Sequence, residues 1–434
     1  MEKIDGYFYP EENSDYKNKA ILFGVDYDPE KDFEHSMEEL KGLAKACNME
    51  IVGVLTQSLP HPDNALYLGR GKVSELKDYV ASLEADYCLC EGDLTPSQMK
   101  NLQDMLKVPI WDHTNLILEI FSGRAKTKEA KLQVESAYLQ FMLPRLTGMW
   151  QHLSRQGGGG GSRANKGEGE KQIELDKRYI NHRMAELSKE LDQITRTRQV
   201  QRDGRKKDSL PNVAMVGYTN AGKSTLMNRL LENSGKEKKV FEKDMLFATL
   251  DTSIRKVNGK NNRDFLLSDT VGFIENLPHS LIKAFRSTLE EAEYADLLLI
   301  VLDASDPYNS EHKKVTEDTL KELGADSVPR IYVMNKSDLI EGEGKNIISP
   351  GISKVYLSAA TGEGIDELLE AVDAEIYGDI VTETMLISYK DASQLNYLRN
   401  NAHIVSEEYL PEGTKIVVEG PKRILENILL TKHM

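Results

Sequence analysis

The chain has 434 residues, 40% of them hydrophobic, with 70 acidic against 55 basic side chains and a net charge of −15. That length supports roughly two to four domains with cores of their own, and no apolar run approaches the ~20 residues of a membrane span. The acidic start, Met1-Glu2-Lys3-Ile4-Asp5, is not a signal peptide, and Cys47, Cys88 and Cys90 are too few for a disulfide framework, so the composition fits a cytoplasmic protein.

Residues 1–121 alternate strand-like and helical runs: strands over 20–25, 50–55 and 87–90, helices over 33–46 and 73–83. The pattern predicts a small α/β domain. Cys88 and Cys90 alternate along the third strand and read as buried thiols. Gly69-Arg70-Gly71-Lys72 fits either a phosphate grip or a basic turn opening a helix; without Gly-Lys-Ser spacing the turn is favoured.

Residues 122–207 carry 19 Lys and Arg against 10 Asp and Glu, a local +9 that leaves −24 on the remainder. Such a split marks a nucleic-acid-facing arm on an acidic body. Val134, Ala137, Tyr138 and Phe141 form one helical stripe; Ile173, Ile180, Leu187 and Ile194 recur every seven residues, with Met184 and Leu191 between them. The pattern predicts an antiparallel helical hairpin joined by a connector over 157–169 that holds seven glycines. Two readings of the connector stay open. It is a slack surface loop, or a thin finger whose Arg155, Arg163 and Lys166 enter an RNA crevice.

Residues 208–378 hold the chemistry. Gly217-Tyr218-Thr219-Asn220-Ala221-Gly222-Lys223-Ser224 lies between an apolar strand and an amphipathic helix that continues through Thr225, the setting of a phosphate-binding loop. Its amides form an anion nest; Lys223 compensates phosphate charge and the Ser224 hydroxyl is a ligand for Mg²⁺. Asp269 and Gly272 stand in an Asp-x-x-Gly run after a strand, Asp269 as a second Mg²⁺ partner and Gly272 to meet the γ-phosphate. Thr249 is the candidate switch threonine for Mg²⁺ and the γ-phosphate. Asn335-Lys336-Ser337-Asp338 follows a further strand: Asp338 accepts from guanine N1–H and N2–H₂, Lys336 lies along the base, and Asn335 ties this loop to the phosphate loop. Adenine offers neither donor. Ser358-Ala359-Ala360 places a backbone N–H at the guanine carbonyl, with Ser358 and Ala359 the candidates.

Together these predict a GTPase that uses GTP/GDP and Mg²⁺. Phe273 stands after Gly272, where many switch GTPases have a water-orienting glutamine. Asn220 resembles the asparagine of potassium-activated GTPases, which makes K⁺ a candidate cofactor; loop stabilisation is the other reading. His279, seven residues past Gly272, is a candidate water-positioning group or a plain surface histidine. Residues 379–434 show two strands bracketing a helix near 392–401, a small α+β domain.

The chain resembles the HflX family of ribosome-associated GTPases over nearly its whole length. The resemblance rests on Tyr67-Leu68-Gly69-Arg70-Gly71-Lys72, Leu94-Thr95-Pro96-Ser97-Gln98 with Asn101-Leu102, Leu143-Pro144-Arg145-Leu146, Asp269-Thr270-Val271-Gly272-Phe273-Ile274, Leu277-Pro278-His279 and Ala284-Phe285-Arg286-Ser287-Thr288. Asp112-His113-Thr114 departs from the family's Asp-Arg-Thr, and 163–170 lengthens the stretch after the glycine run. The chain is expected to be monomeric when free; the resemblance implies a factor that binds the large ribosomal subunit (50S) and its rRNA. It also implies splitting or rescue of stalled or idle ribosomes, ribosome-stimulated hydrolysis and release timed by GTP. Two alternatives differ in class. One is a signalling GTPase with a protein partner; the other is an RNA remodeller with a separate ATP site in the N-terminal domain, dependent on Lys72 rather than Lys223.

Overall fold

The computed structural model describes residues 17–29, 32–146, 164–207, 210–233, 246–247, 253–259, 263–270, 272–274, 291–340, 353–378, 380–421 and 425, with side chains left out at helix ends including 164–173 and 198–207. The chain divides into two compact units, Met1–Arg124 with Lys131–Lys189, and Ala125–Ala130 with Glu190–Met434.

The first unit opens with β1 (Asn18–Asp26), α1 (Phe33–Ala46), β2 (Met49–Ser58), α2 (Arg70–Leu83), β3 (Tyr87–Cys90), α3 (Pro96–Leu106), β4 (Ile110–Trp111) and α4 (His113–Arg124). The strands form a parallel sheet in the order β2-β1-β3-β4. Ile21, Leu22 and Phe23 are all buried although they face alternate sides, so β1 is covered on both faces, as a parallel sheet requires. Cys88 and Cys90 are buried in β3, and burial pushes both thiols up, Cys88 to about 12.

Gly69 is the N-cap of α2, so Gly69-Arg70-Gly71-Lys72 is the turn that opens a helix. The Thr95-Gln98 pair forms a capping box on α3 with Pro96 in the first turn. Its Gln98 Nε2 also donates to the Asp63 carbonyl at 2.7 Å, and Asn101 Nδ2 donates to that of Ala65 at 2.9 Å. The polar residues of this motif therefore pin the loop after β2.

Two helices follow, α5 (Lys128–Met142) and α6 (Ala164–Lys207). Arg183 grips Glu135 at 2.7 and 2.9 Å, and Lys128 reaches Glu190 at 3.1 Å. One partner's number rises as the other's falls, so the helices run antiparallel. Ile180 and Leu187 are buried as the seam required, with Met184, Leu191 and Ile194 half-buried. One difference from the sequence reading is that helix begins at Ala164, inside the expected connector. Each interior glycine costs only ~1 kcal/mol, and propagation from an already long helix avoids a new nucleus.

The second unit contains β5 (Asn212–Gly217), α7 (Lys223–Asn233), β6 (Ser253–Val257), β7 (Phe265–Asp269), β8 (Leu297–Asp303), α8 (Asn309–Glu322), β9 (Arg330–Asn335), β10 (Ser353–Tyr356) and α9 (Ile365–Tyr377). Its sheet runs β10-β9-β8-β5-β7-β6, with only β6 antiparallel to its neighbour. The chain then adds β11 (Ile380–Ile387), α10 (Ala392–Asn401), β12 (His403–Leu410) and β13 (Gly413–Pro421), an antiparallel sheet in the order β11-β13-β12. Leu398 of α10 packs on Met385, Ile387, Ile416 and Val418. Together the parts make the expected multidomain α/β protein with a P-loop GTPase domain.

Candidate active site

Strand β5 is buried throughout its apolar part and delivers the chain to the phosphate loop. Gly217 turns there at φ +148, and a side chain on it would strike the Val301 carbonyl of β8. Gly222 at φ +91 is required for a second reason. A Cβ there would strike Asn335 Nδ2, so glycine lets Asn335 close onto the loop. Asn335 Nδ2 donates to the Ala221 carbonyl at 2.8 Å, and its Oδ1 accepts from Ala359 N at 2.9 Å. The expected tie between base loop and phosphate loop is thus a pair of hydrogen bonds.

Lys223 opens α7. Its buried ammonium donates to the Gly217 and Tyr218 carbonyls at 3.0 and 2.8 Å, and desolvation pulls its pKa down to about 8 against the opposing charge of Asp269. A phosphate there offers a stronger acceptor than either carbonyl. Ser224 Oγ donates to Asp269 Oδ2 at 3.0 Å. This hydroxyl and carboxylate face each other as hard oxygen donors, the chemistry that suits Mg²⁺. Thr219 Oγ1 is buried and, among the described residues, has no hydrogen-bond partner. Thr225 follows, half-buried in α7.

The Asp-x-x-Gly turn is bound to this loop by its backbone. Phe273 N donates to Gly217 O at 3.0 Å and Thr219 N to Phe273 O at 2.8 Å. A Cβ on Gly272 would lie 3.0 Å from Lys223 Nζ, so glycine is needed for the turn to approach the lysine. The Phe273 side chain is 1% exposed and cannot orient water. Asn220 is exposed at φ +60 beside these groups. Thr249 and His279 lie outside the described residues.

At the base end, Lys336 sits at φ +62 with its ammonium 2.6 Å from Asp303. Asp338 is exposed, and among the described residues no hydrogen bond or ion pair engages its carboxylate. Ser358 and Ala359, expected to offer an amide to the base, have theirs engaged: Ser358 N donates to Glu363 O at 2.9 Å and Ala359 N to Asn335. The next amide, at Ala360, is the one left over. Sequence reasoning passed over His312, whose ring stacks on that of the phosphate-loop Tyr218 at 3.7 Å and 13°, with the imidazole 3.3 Å from Asp306. An ordinary helix position such as 312 carries no motif to reveal it. The RNA-facing candidates Arg155 and Arg163 lie outside the described residues, and only the helical backbone of Lys166 is described.

Comparisons with known proteins cover most of the chain. Residues 34–122 match the family described as GTP-binding GTPase N-terminal, 124–205 the GTP-binding GTPase middle region, and 212–336 the 50S ribosome-binding GTPase. GTPase HflX of Caldanaerobacter subterraneus is 43% identical over 413 residues, 95% of this chain and 93% of that protein. GTPase HflX of Escherichia coli is 38% identical over 374 residues, 86% of each. A GTP-binding protein from Sulfolobus solfataricus, solved with GDP, covers 82% of this chain and 97% of its own at 24% identity and a TM-score of 0.44, an overlap too loose to support statements about residues. With two such relatives matching over 86% or more of each chain, the chain belongs to the HflX GTPase family, binds guanine nucleotide and hydrolyses GTP.

Proposed function

We propose that the protein is a translation factor that binds the large ribosomal subunit (50S) and its rRNA and promotes dissociation or rescue of stalled or idle ribosomes, with GTP hydrolysis timing its release. The observation that carries this reading is the match of residues 212–336 to the 50S ribosome-binding GTPases, beside a 44-residue helix in a chain segment of net charge +9. The burial of Phe273 supports ribosome-stimulated hydrolysis, since a site without a water-positioning side chain at that place needs help from a partner. In this reading 1–121 is an N-terminal domain, 122–207 the basic hairpin, 208–378 the G domain and 379–434 a C-terminal domain. Arg155, Arg163 and Lys166 face RNA.

Mg²⁺ would be held by Ser224 and Asp269, with Thr249 joining them, and would neutralise charge between the outer phosphates. Asn220, exposed at the loop's crest, is the proposed seat of K⁺. The protein acts in the cytoplasm and is monomeric when free; among the described residues no helix is long and apolar enough to cross a membrane. Co-sedimentation with 50S and 70S particles in GDP and in a non-hydrolysable GTP analogue tests the reading. Association in the analogue and loss on neutralising Arg155, Arg163 and Lys166 are expected; no nucleotide-dependent association overturns it. For the cation, hydrolysis is expected to be faster in K⁺ than in Na⁺ at equal ionic strength, and equal rates would remove K⁺ from the site.

A further inference from the structure

Helix α7 carries the phosphate-binding Lys223 and Ser224 at its start and, further along, Arg229. The Arg229 guanidinium is turned toward the loop after β10. Its Nε donates to the Ala359 carbonyl at 3.0 Å and its Nη2 to the Ala360 carbonyl, while Nη1 lies 3.5 Å from Glu232 of the same helix. A planar fork held from three sides has one orientation.

The amides of that loop are nearly all spent. Ser358 N–H goes to Glu363 O, Ala359 N–H to Asn335 Oδ1, Thr361 N–H to Ser358 Oγ at 3.1 Å, and Gly362 N–H to Ser358 O at 2.8 Å. Among the described residues, the Ala360 N–H alone in this run has no acceptor. A trans peptide points the carbonyl of one residue and the N–H of the next in opposite directions. By drawing the Ala359 carbonyl onto α7, Arg229 therefore turns the Ala360 N–H away from α7. The loop is held beside the Asp338 segment by the Ser337 N–H on Leu357 O at 3.1 Å and by the Asn335 bridge. Asp338 takes the N1–H and N2–H₂ edge of guanine. What remains of that edge is the 6-carbonyl, which needs a donor.

We propose that Arg229 is a positioning residue for guanine selectivity, which fixes the Ala360 N–H as the donor to the guanine 6-carbonyl from the helix that also grips the phosphates. Adenine presents an amino group at that place, so an N–H held rigidly there meets another N–H and goes unmatched. The rigidity matters as much as the contact, because a free loop could turn the amide aside.

The test is equilibrium binding of GDP, IDP and 6-thio-GDP to the full chain, as wild type, R229A and R229K. IDP keeps the carbonyl and loses the 2-amino group; 6-thio-GDP keeps the 2-amino group and replaces the carbonyl oxygen with sulfur, a weak acceptor. R229A is expected to weaken GDP and IDP alike by about tenfold, and 6-thio-GDP by less than about twofold. R229K, which keeps the charge and the aliphatic stem but has no planar fork, is expected to fall between and serves as the readout if R229A does not fold. A loss of 6-thio-GDP as large as that of GDP makes Arg229 a general support of the site and overturns the proposal. Unchanged GDP affinity overturns it as well.

Discussion

Both α/β sheets end their parallel strands in polar loops, and they use them in opposite ways. In the first sheet most of the polar groups are spent on one another, with Asn115 Nδ2 and Arg145 Nε buried without a hydrogen-bond partner among the described residues. Thr114 donates to Asp93 at 3.1 Å, Asp112 accepts from Asn115 N and from Arg145, and Gln98 and Asn101 hold the loop after β2. In the second sheet the strand ends leave Asp338, the Ala360 amide and Thr219 Oγ1 without partners among the described residues. Open α/β sheets bind ligands at the carboxyl ends of their strands. A conspicuous polar motif at such an end is thus a ligand site where its atoms are unspent, and a structural clasp where they are spent.

That contrast breaks first at Lys223. K223A removes the ammonium expected to hold phosphate and should lower GDP affinity by at least about 100-fold, measured by titration calorimetry, while the melting temperature of the nucleotide-free protein is held or raised because a buried ammonium is gone. A modest loss would mean that the Gly217 and Tyr218 carbonyls, not phosphate, are its working partners. Next comes Asp338. D338N replaces the acceptor proposed to serve two guanine donors by one acceptor and one donor, so GTP is expected to weaken by about 100-fold. A xanthine nucleotide, which has N1–H beside a carbonyl, gains. Competition of GTP and XTP against a fluorescent GDP reads both, and unchanged preference would remove Asp338 from the base.

The phosphate and base loops were legible because their residue types are dictated by chemistry outside the protein. Gly217, Gly222, Lys223, Asn335 and Asp338 fall in short motifs whose spacing along the chain is itself the signal. Legibility failed where the partner is elsewhere in the chain. Helix α4 is buried nearly all round from Leu116 to Phe121 and so shows no amphipathic period. Strand β12, with His403, Ser406, Glu407 and Glu408, is an edge strand whose polar side chains hide its pairing. The roles of Arg229 and Ala360 depend on which amides the tertiary fold has already spent, which only the structure discloses.

The first sheet makes the opposite predictions: changes there move stability and leave the nucleotide alone. Glu119 of α4 is largely buried, and desolvation raises its pKa from 4.5 to about 7. A raised carboxyl pKa stabilises the fold while the group is protonated. That contribution is complete below pH 4.5 and is lost as the pH rises through 7. Between pH 5 and 8 the wild type should lose roughly 2 kcal/mol that E119Q retains, read as denaturant midpoints at the two pH values. Parallel pH profiles for both proteins would place Glu119 in water.

The smallest effect is the sharpest comparison. N101A deletes the hydrogen bond to the Ala65 carbonyl and should cost about 1 kcal/mol. Asn101 and Asn335 do formally the same work, each holding a neighbouring loop through a side-chain amide on a carbonyl. Yet the loop that Asn335 holds carries phosphate chemistry and the loop that Asn101 holds returns its polar groups to the fold. If N101A lowers the midpoint and leaves GDP affinity within about twofold, the spent-or-unspent distinction separates the two asparagines. If GDP affinity falls with it, the clasp of the first sheet is coupled to the nucleotide, and a motif whose atoms are all satisfied must then be counted part of the switch.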